Sequence, residues 1–326
     1  MEKIGDHALV FGASMAGLLA ARTLADFFDT VTVVERDALP DGAANRRGVP
    51  QGRHLHALLA RGAQVLEQLF PGLLDELVLD GAPFFDGRDL SRLHYNLGGH
   101  LVVRTGAVEG LTAYLPSRPF LEFHVRRRIR AIPNITLLDA HDVVALTSTA
   151  DHTRITGARA ANRHNGEQST LTADLVVDAT GRGSRTPAWL ESLGYGRPVE
   201  EHVVVHLTYA SQLLRIPPGT LHEMAFLVGA VPGRPTGMGL LGCEHDTCSP
   251  RLGWPATSRP VTAQKCAHSL RNSRPRTRWL RCGPPNPLGR WHGTASHPAS
   301  GAATTRCGDS RTVCWSPAST PSTGRA

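Results

Sequence analysis

The chain has 326 residues, 41% of them hydrophobic, which is enough for one large α/β domain or two smaller ones around a sizeable core. Its formal charge of +7 is unevenly placed: residues 251–326 hold 12 Lys and Arg against one acid, Asp309, leaving 23 basic and 27 acidic residues in 1–250, a balance that argues against a nucleic-acid partner. All six cysteines (Cys243, Cys248, Cys266, Cys282, Cys307, Cys314) lie in the last quarter without CxxC or zinc-type Cys/His spacing, so neither a disulfide framework nor a metal site is expected.

The apolar run His7–Phe11 predicts a strand, and Ala16–Phe28 carries apolar residues at helical spacing. Thr30–Glu35, "TVTVVE", is β-branched and ends in an acid, completing a β-α-β unit. Gly12, Ser14 and Gly17 interrupt this region, so it is read as mature protein with no stable membrane insertion, and a cytoplasmic location is expected. A Gly/Arg/Pro-rich loop, Asp41–Gly52, leads to a helix over His56–Phe70 that stops before Pro71. A second helix is predicted over Ser117–Ile132, with Phe120, Phe123 and Ile129 on its apolar side and a basic face turned to solvent. Three strand-like stretches follow, over 134–149, 154–163 and 169–181, the last reading as a buried apolar strand ending in Asp178. "EEHVVVHLTYASQLLRI" alternates like a strand of a mixed sheet and is expected to begin a substrate-facing layer.

"GASMAG" places Gly12, Ser14 and Gly17 between strand and helix as a GxGxxG variant. Gly12 allows the tight turn, a small residue at 14 lets the backbone approach a pyrophosphate, and Gly17 lets helix and strand pack closely. Met15 and Ala16 fall in the same turn. Glu35 stands where a carboxylate can accept both hydroxyls of an adenosine ribose and repel a 2′-phosphate, with Arg36 beside it, so the tightly held ligand is FAD or NAD rather than NADP. In "VVDATGRGSR", a strand delivers Asp178 to a turn with Gly181, Gly183, Ser184 and Arg185, a second place at which an extended dinucleotide could be held. His54 and His56, two apart on a helix, diverge, and packing or hydrogen bonding suits them better than a shared metal.

Four stretches, "GASMAGLLAARTLADFFDTVTVVERD", "GVPQGRHLHALLARG", "SRPFLEFHVRRRI" and "VVDATGRGSRTPAWLESLGYG", together resemble the FAD-dependent monooxygenases of the p-hydroxybenzoate-hydroxylase fold. The similarity points to the actinobacterial branch near squalene and polyether epoxidases and covers roughly residues 7–242. It implies a Rossmann-like FAD-binding α/β domain over 1–190 and the start of a substrate-domain sheet over 191–243. It further implies that Gln51, Arg53 and His54 lie near the flavin, that Arg118 approaches the cofactor, and that the Asp178–Arg185 segment lies along the pyrophosphate. NADPH or NADH would be a transient reductant, with O2 and a small apolar substrate as partners, and a flavin hydroperoxide would transfer the oxygen without a general base.

The same family carries a third cofactor motif near its carboxyl end, of the kind "RRLPDGLLVAGDAxxSFNPIYGQG", and nothing like it is written here. A GC-rich back-translation of Arg306–Ala326, regrouped from its third base, nevertheless reads "VRRLPDGLLVAGFNPIYGQG", lacking only the "DAxxS" portion. From Arg251 onward there is no Ile, Phe or Tyr. Residues 244–326 are therefore expected to be an out-of-frame, disordered tail beyond an incomplete, truncated substrate sheet, with the frame changing near Cys243–Cys248. Three functions fit: a monooxygenase of an apolar polyketide or isoprenoid, impaired in this chain; a flavin-dependent reductase of prenyl chains; or a non-catalytic remnant.

Overall fold

The computed structural model of the chain describes residues 2–204, 207–217, 219–245 and 247–255, and the strand segments 292–296, 304–306 and 313–315. In chain order the elements begin β1 (Gly5–Phe11), α1 (Met15–Leu24), β2 (Phe28–Val34), β3 (Leu58–Leu59), α2 (Ala60–Leu69), α3 (Leu73–Leu79), β4 (Phe84–Phe85), β5 (Leu93–Leu97), β6 (His100–Leu101) and β7 (Ala113–Tyr114). They continue with α4 (Arg118–Arg130), β8 (Ile135–Leu138), β9 (His141–Ser148), β10 (Ile155–Asn162), β11 (Gln168–Thr172), β12 (Leu175–Asp178), α5 (Thr186–Ser192) and β13 (Leu207–Ser211). The last are β14 (Leu214–Arg215), β15 (Ala225–Val228), β16 (Gly237–Cys243), β17 (Thr247–Pro255), β18 (His292–Ser296), β19 (Thr304–Arg306) and β20 (Val313–Trp315). They fall into two compact units, one of residues 1–50, 64–77 and 119–201, the other of 51–63, 78–118 and 202–326. Both are discontinuous, unlike the contiguous segments 1–190 and 191–243 of the sequence reading, because β5 pairs with β15 and carries β6 with it, while β3 and β4 pair with β7.

The first unit is built on a four-stranded parallel sheet in the order β12-β1-β2-β8. Ala8 to Phe11 of β1 are buried in succession, the signature of a strand covered on both faces. Against one face Leu9, Phe11 and Val34 pack on Ala158 and Ala160 of a separate antiparallel sheet, β11-β10-β9, whose small side chains let the two layers approach. Helix α1 ends earlier than the predicted Phe28. Its last turn is closed by Lys3 Nζ and Asn134 Nδ2, which both donate to the carbonyl oxygens of Ala25 and Phe28, and Phe28 already starts β2.

Two of the three expected strands are each divided. Ala140, at φ 52°, turns the chain out of the parallel sheet, so β8 and β9 belong to different sheets. At Asp174 the carboxylate Oδ2 accepts the N–H groups of Asp6 and His7 and separates β11 from β12. β12 is not the buried strand expected from its apolar sequence: it is an edge strand, and Leu175 is 38% exposed. Nor is the basic face of α4 simply solvated. Arg126 is 2% exposed and its Nη2 donates to the carbonyls of Pro40 and Gly42, while Arg127 and Arg128 clasp Glu76.

The second unit holds an eight-stranded mixed sheet, β18-β13-β17-β16-β15-β5-β6 with β14 beside β17, and the small sheet β3-β7-β4. Leu115, Ala225 and Leu241 form a core with Leu55, Ala57, Leu93, Tyr95 and Met224 around them. The predicted strand at 200–216 is realised as β13 and β14 in this mixed sheet. Helix α2 begins at Ala60 rather than His56, because Leu58–Leu59 are taken up by pairing with Ala113–Tyr114. Regular structure runs past Cys243, since β17 returns antiparallel to β16. Most of the expected tail, 256–291, 297–303, 307–312 and 316–326, lies outside the described residues. Among the described residues no helix is long and apolar enough to cross a membrane.

Candidate nucleotide-binding site

In the first unit Phe11 is in register with both Val34 and Asp178, so the carboxyl ends of β1, β2 and β12 lie side by side. Open parallel sheets bind ligands at such ends. The chain leaves β1 through Gly12, at φ 92°, whose N–H donates to Val34 O at 2.8 Å. A Cβ on Gly12 would sit 3.0 Å from Ala179 O, and one on Gly17 would sit 1.7 Å from Gly12 O. Strand and helix therefore meet where no side chain fits. Ser14 is the N-cap of α1, and Met15 and Ala16 open the helix, where backbone N–H groups point outward along the positive end of the helix dipole. A phosphate is the natural occupant of such a turn.

Glu35, just beyond β2, is buried, and its carboxylate is held from three sides. Ala13 N–H donates to Oε2 at 2.7 Å, Asp37 N–H donates to Oε1 at 2.8 Å, and Arg46 Nη1 lies 3.1 Å from Oε2. Oε1 accepts that one bond and keeps acceptor capacity for a ribose hydroxyl. Arg46 itself is buried among carboxylates: Nε donates to Glu122 Oε1 at 2.7 Å, Nη2 to Ala13 O at 2.7 Å, and Nη1 lies 3.4 Å from Asp37 Oδ2. Burial works against its charge, but the hydrogen bond to Glu122 and the fields of Glu35 and Glu122 outweigh it, so its pKa is raised. The other oxygen of Glu122 accepts from Ser14 Oγ at 3.1 Å. Arg36, by contrast, is exposed and points to Asp142, 3.4 Å away.

Asp178 organises its own turn. Oδ1 accepts from the N–H and hydroxyl of Thr180, and Oδ2 from the hydroxyls of Ser184 and Thr186. Burial would raise its pKa, yet the bonds from Ser184, Thr180 and Thr186 prevail and lower it. With its acceptors engaged by the protein, Asp178 shapes the loop, while Gly181, at φ 66°, and Gly183 have open space where a Cβ would stand. Arg185 is exposed, its guanidinium 5.5 Å above the Trp189 ring. Among the sequence-predicted residues the first unit thus gathers Gly12, Ser14, Met15, Ala16, Gly17, Glu35, Asp178, Gly181 and Arg185 around these strand ends, with Arg36 turned aside.

Gln51, Arg53, His54 and Arg118 belong to the second unit. Gln51 and Arg53 are exposed in a short 3₁₀ turn, Pro50–Arg53, and His54 is buried with Nδ1 2.7 Å from Ser211 Oγ. Neither His54 nor His56 stands on a helix, which removes the geometric premise on which they were expected to diverge. His56 has its pKa lowered, by burial first and then by the nearby Arg118 guanidinium. Arg118 opens α4, and just before it Ser117 N–H donates to Glu244 Oε2 at 2.8 Å. Arg46 and Glu122 are the site residues that the sequence reading missed. A signal was present for Glu122: it falls on the buried side of α4 with Val125 and Ile129, an acid where an apolar residue is the rule.

The glycine cradle, the open N-terminus of α1 and the remaining acceptor on Glu35 fit the ADP half of a dinucleotide. Solved structures share the fold that carries it. p-Nitrophenol 4-monooxygenase PnpA from Pseudomonas putida DLL-E4 superposes with a TM-score of 0.59 at 16% identity, over 96% of this chain and 72% of PnpA. The flavin-dependent monooxygenase PieE, solved with FAD and substrate, gives 0.58 at 18% identity over 96% of this chain and 53% of PieE. The fold is that of the flavin-dependent monooxygenases. The myxobacterial chondrochloren halogenase CndH, an FAD-dependent halogenase, shares it at a TM-score of 0.54 and 17% identity over 82% of this chain and 55% of CndH. No family model matches the chain. Among curated proteins, Protein Rv3254 of Mycobacterium tuberculosis (strain H37Rv) is 44% identical over 248 residues, 74% of this chain and 52% of the relative. The chain thus spans about half the length of the curated relative it matches.

Proposed function

We propose that the first unit binds the ADP half of FAD and that the protein is an FAD-dependent monooxygenase, an epoxidase or hydroxylase that places one atom of O2 in an apolar polyketide or isoprenoid. The observation that supports this reading is the close approach of Gly17 to Gly12 O beside the ends of β1, β2 and β12, a turn that excludes side chains and is of the kind that suits a pyrophosphate. When bound, FAD supplies the electron transfer and oxygen chemistry, with NADPH or NADH giving two electrons and the second oxygen atom leaving as water. The chain's own share is to bind and orient. Ser14, Met15, Ala16 and Gly17 present N–H groups to phosphate, Glu35 Oε1 accepts a ribose hydroxyl, and the Asp178-braced loop with Gly181 and Arg185 lies along the pyrophosphate. The reaction takes place in the cytoplasm.

We also propose that the reading frame departs from the ancestral one near Cys243–Cys248, which truncates the substrate sheet and impairs activity. In support, residues from Arg251 onward lack Ile, Phe and Tyr and regroup into the family's third motif in another frame. The test is direct. The full chain is titrated with FAD, followed by quenching of flavin fluorescence, beside a version with the frame restored by one base near codons 243–248. Saturable binding by the chain and tighter, yellow, NADPH-oxidising protein on restoration are expected. Absence of binding by both would remove the flavin reading.

A further inference from the structure

A buried cation shared among three carboxylates poses a question of ownership. Arg46 is 2.7 Å from Glu122, 3.1 Å from Glu35 and 3.4 Å from Asp37, and the side chains of all four are at most 10% exposed. Its firmest ionic hydrogen bond is therefore to Glu122, on α4, and it approaches Glu35 at Oε2. Asp37 is additionally engaged by Gly48 N–H, donating to Oδ2 at 2.6 Å, which closes the 37–48 loop around the guanidinium. Arg126, 3.7 Å from Glu122 Oε1, is committed to the carbonyls of Pro40 and Gly42. The other oxygen of Glu122 receives the Ser14 hydroxyl. One carboxylate from a distant helix thus touches the phosphate turn and restrains the arginine that borders the ribose acid.

We propose that Glu122 is a positioning residue of the nucleotide site: it fixes Ser14 directly and, by anchoring Arg46, keeps Glu35 Oε1 available to the ribose 2′-hydroxyl. This rests on the nucleotide-binding reading above. Without the Glu122 charge, Arg46 is free to swing into a bidentate pair with Glu35, the geometry arginine and carboxylate prefer, and that pair would cover Oε1. Ribose recognition would then be lost although Glu35 itself remained. The loss would require Arg46.

The experiment titrates the full chain with ADP and with 2′-deoxy-ADP by calorimetry, and reads the ratio of the two dissociation constants, which a general loss of stability does not move. The wild type is expected to favour ADP about tenfold, the worth of one hydrogen bond to a charged acceptor. Glu122→Gln should bring the ratio close to one, and the double variant Glu122→Gln/Arg46→Met should restore it, because the competing cation is gone. The double variant leaves Glu35 and Asp37 without their cation, so circular dichroism checks that it is folded before titration, and Glu122→Asp, which keeps the charge one methylene further back, should give a ratio between those of wild type and Glu122→Gln. A wild type that binds neither ADP nor FAD overturns the nucleotide reading and this inference with it. Binding by the wild type without preference for ADP, a ratio unchanged in Glu122→Gln and Glu122→Asp, or a lost ratio that the double variant leaves lost, each overturns the inference while the nucleotide reading stands.

Discussion

Gly17→Ala probes the tight turn between β1 and α1. The added methyl would lie 1.7 Å from Gly12 O and 2.9 Å from Gly12 C, both backbone atoms, so the contact must open to at least 3.0 Å by moving the turn or the helix. Alanine in a helix gains about 1 kcal/mol over glycine. Forcing a methyl into a packed contact costs about 1–3 kcal/mol when side chains can adjust, and the upper end applies where only backbone can move. A net loss of about 2 kcal/mol is expected. Gly183→Ala is the internal control, since no atom lies within 4 Å of its Cβ and its φ is not in the left-handed region. It should stay within about 0.5 kcal/mol of the wild type. Urea unfolding followed by circular dichroism measures both, and with a slope of about 3 kcal/mol per molar the Gly17→Ala midpoint should fall by roughly 0.7 M. Coincident midpoints for the two variants would refute the reasoning, because they would mean that β1 and α1 do not meet at this distance.

Glu35→Ala should weaken ADP binding by about 1.5–3 kcal/mol, and Glu35→Gln by less because its amide oxygen can still accept one ribose bond; equal affinities in a calorimetric titration of wild type and both variants would take Glu35 out of the site. Asp178 has a lowered pKa, so its contribution to stability is present above the unfolded value of 3.8 and is lost as pH falls through the folded value. Asp178→Asn should therefore cost about 2 kcal/mol at pH 7 and flatten the acid side of the stability curve below about pH 4, read from urea midpoints across pH. His56 is pushed below the ordinary 6.5 by burial and Arg118, so the unfolded chain takes up its proton first and stability falls as pH drops below 6.5. His56→Asn should remove that slope, which thermal midpoints between pH 7 and 5 would register.

Local signals made the glycine turn between β1 and α1 legible. Strand, turn, helix and acid lie within Gly5–Glu35, and the demands on Gly12 and Gly17 come from neighbours a few residues away, so spacing alone identifies them. The same holds for α4, whose ends fall within two residues of those predicted. What residue pattern left open was decided by partners distant in the chain. Arg46 and Glu122 are 76 positions apart, and a buried acid and a buried arginine read as loop and helix-face residues until folding removes the water around both. Ala140 and Asp174 divide apolar runs that alternate like single strands, because adjacent stretches are drawn into different sheets. β12 is written as apolar as β1, yet one is central and the other an edge, a distinction that depends on which strands pair rather than on what either strand contains.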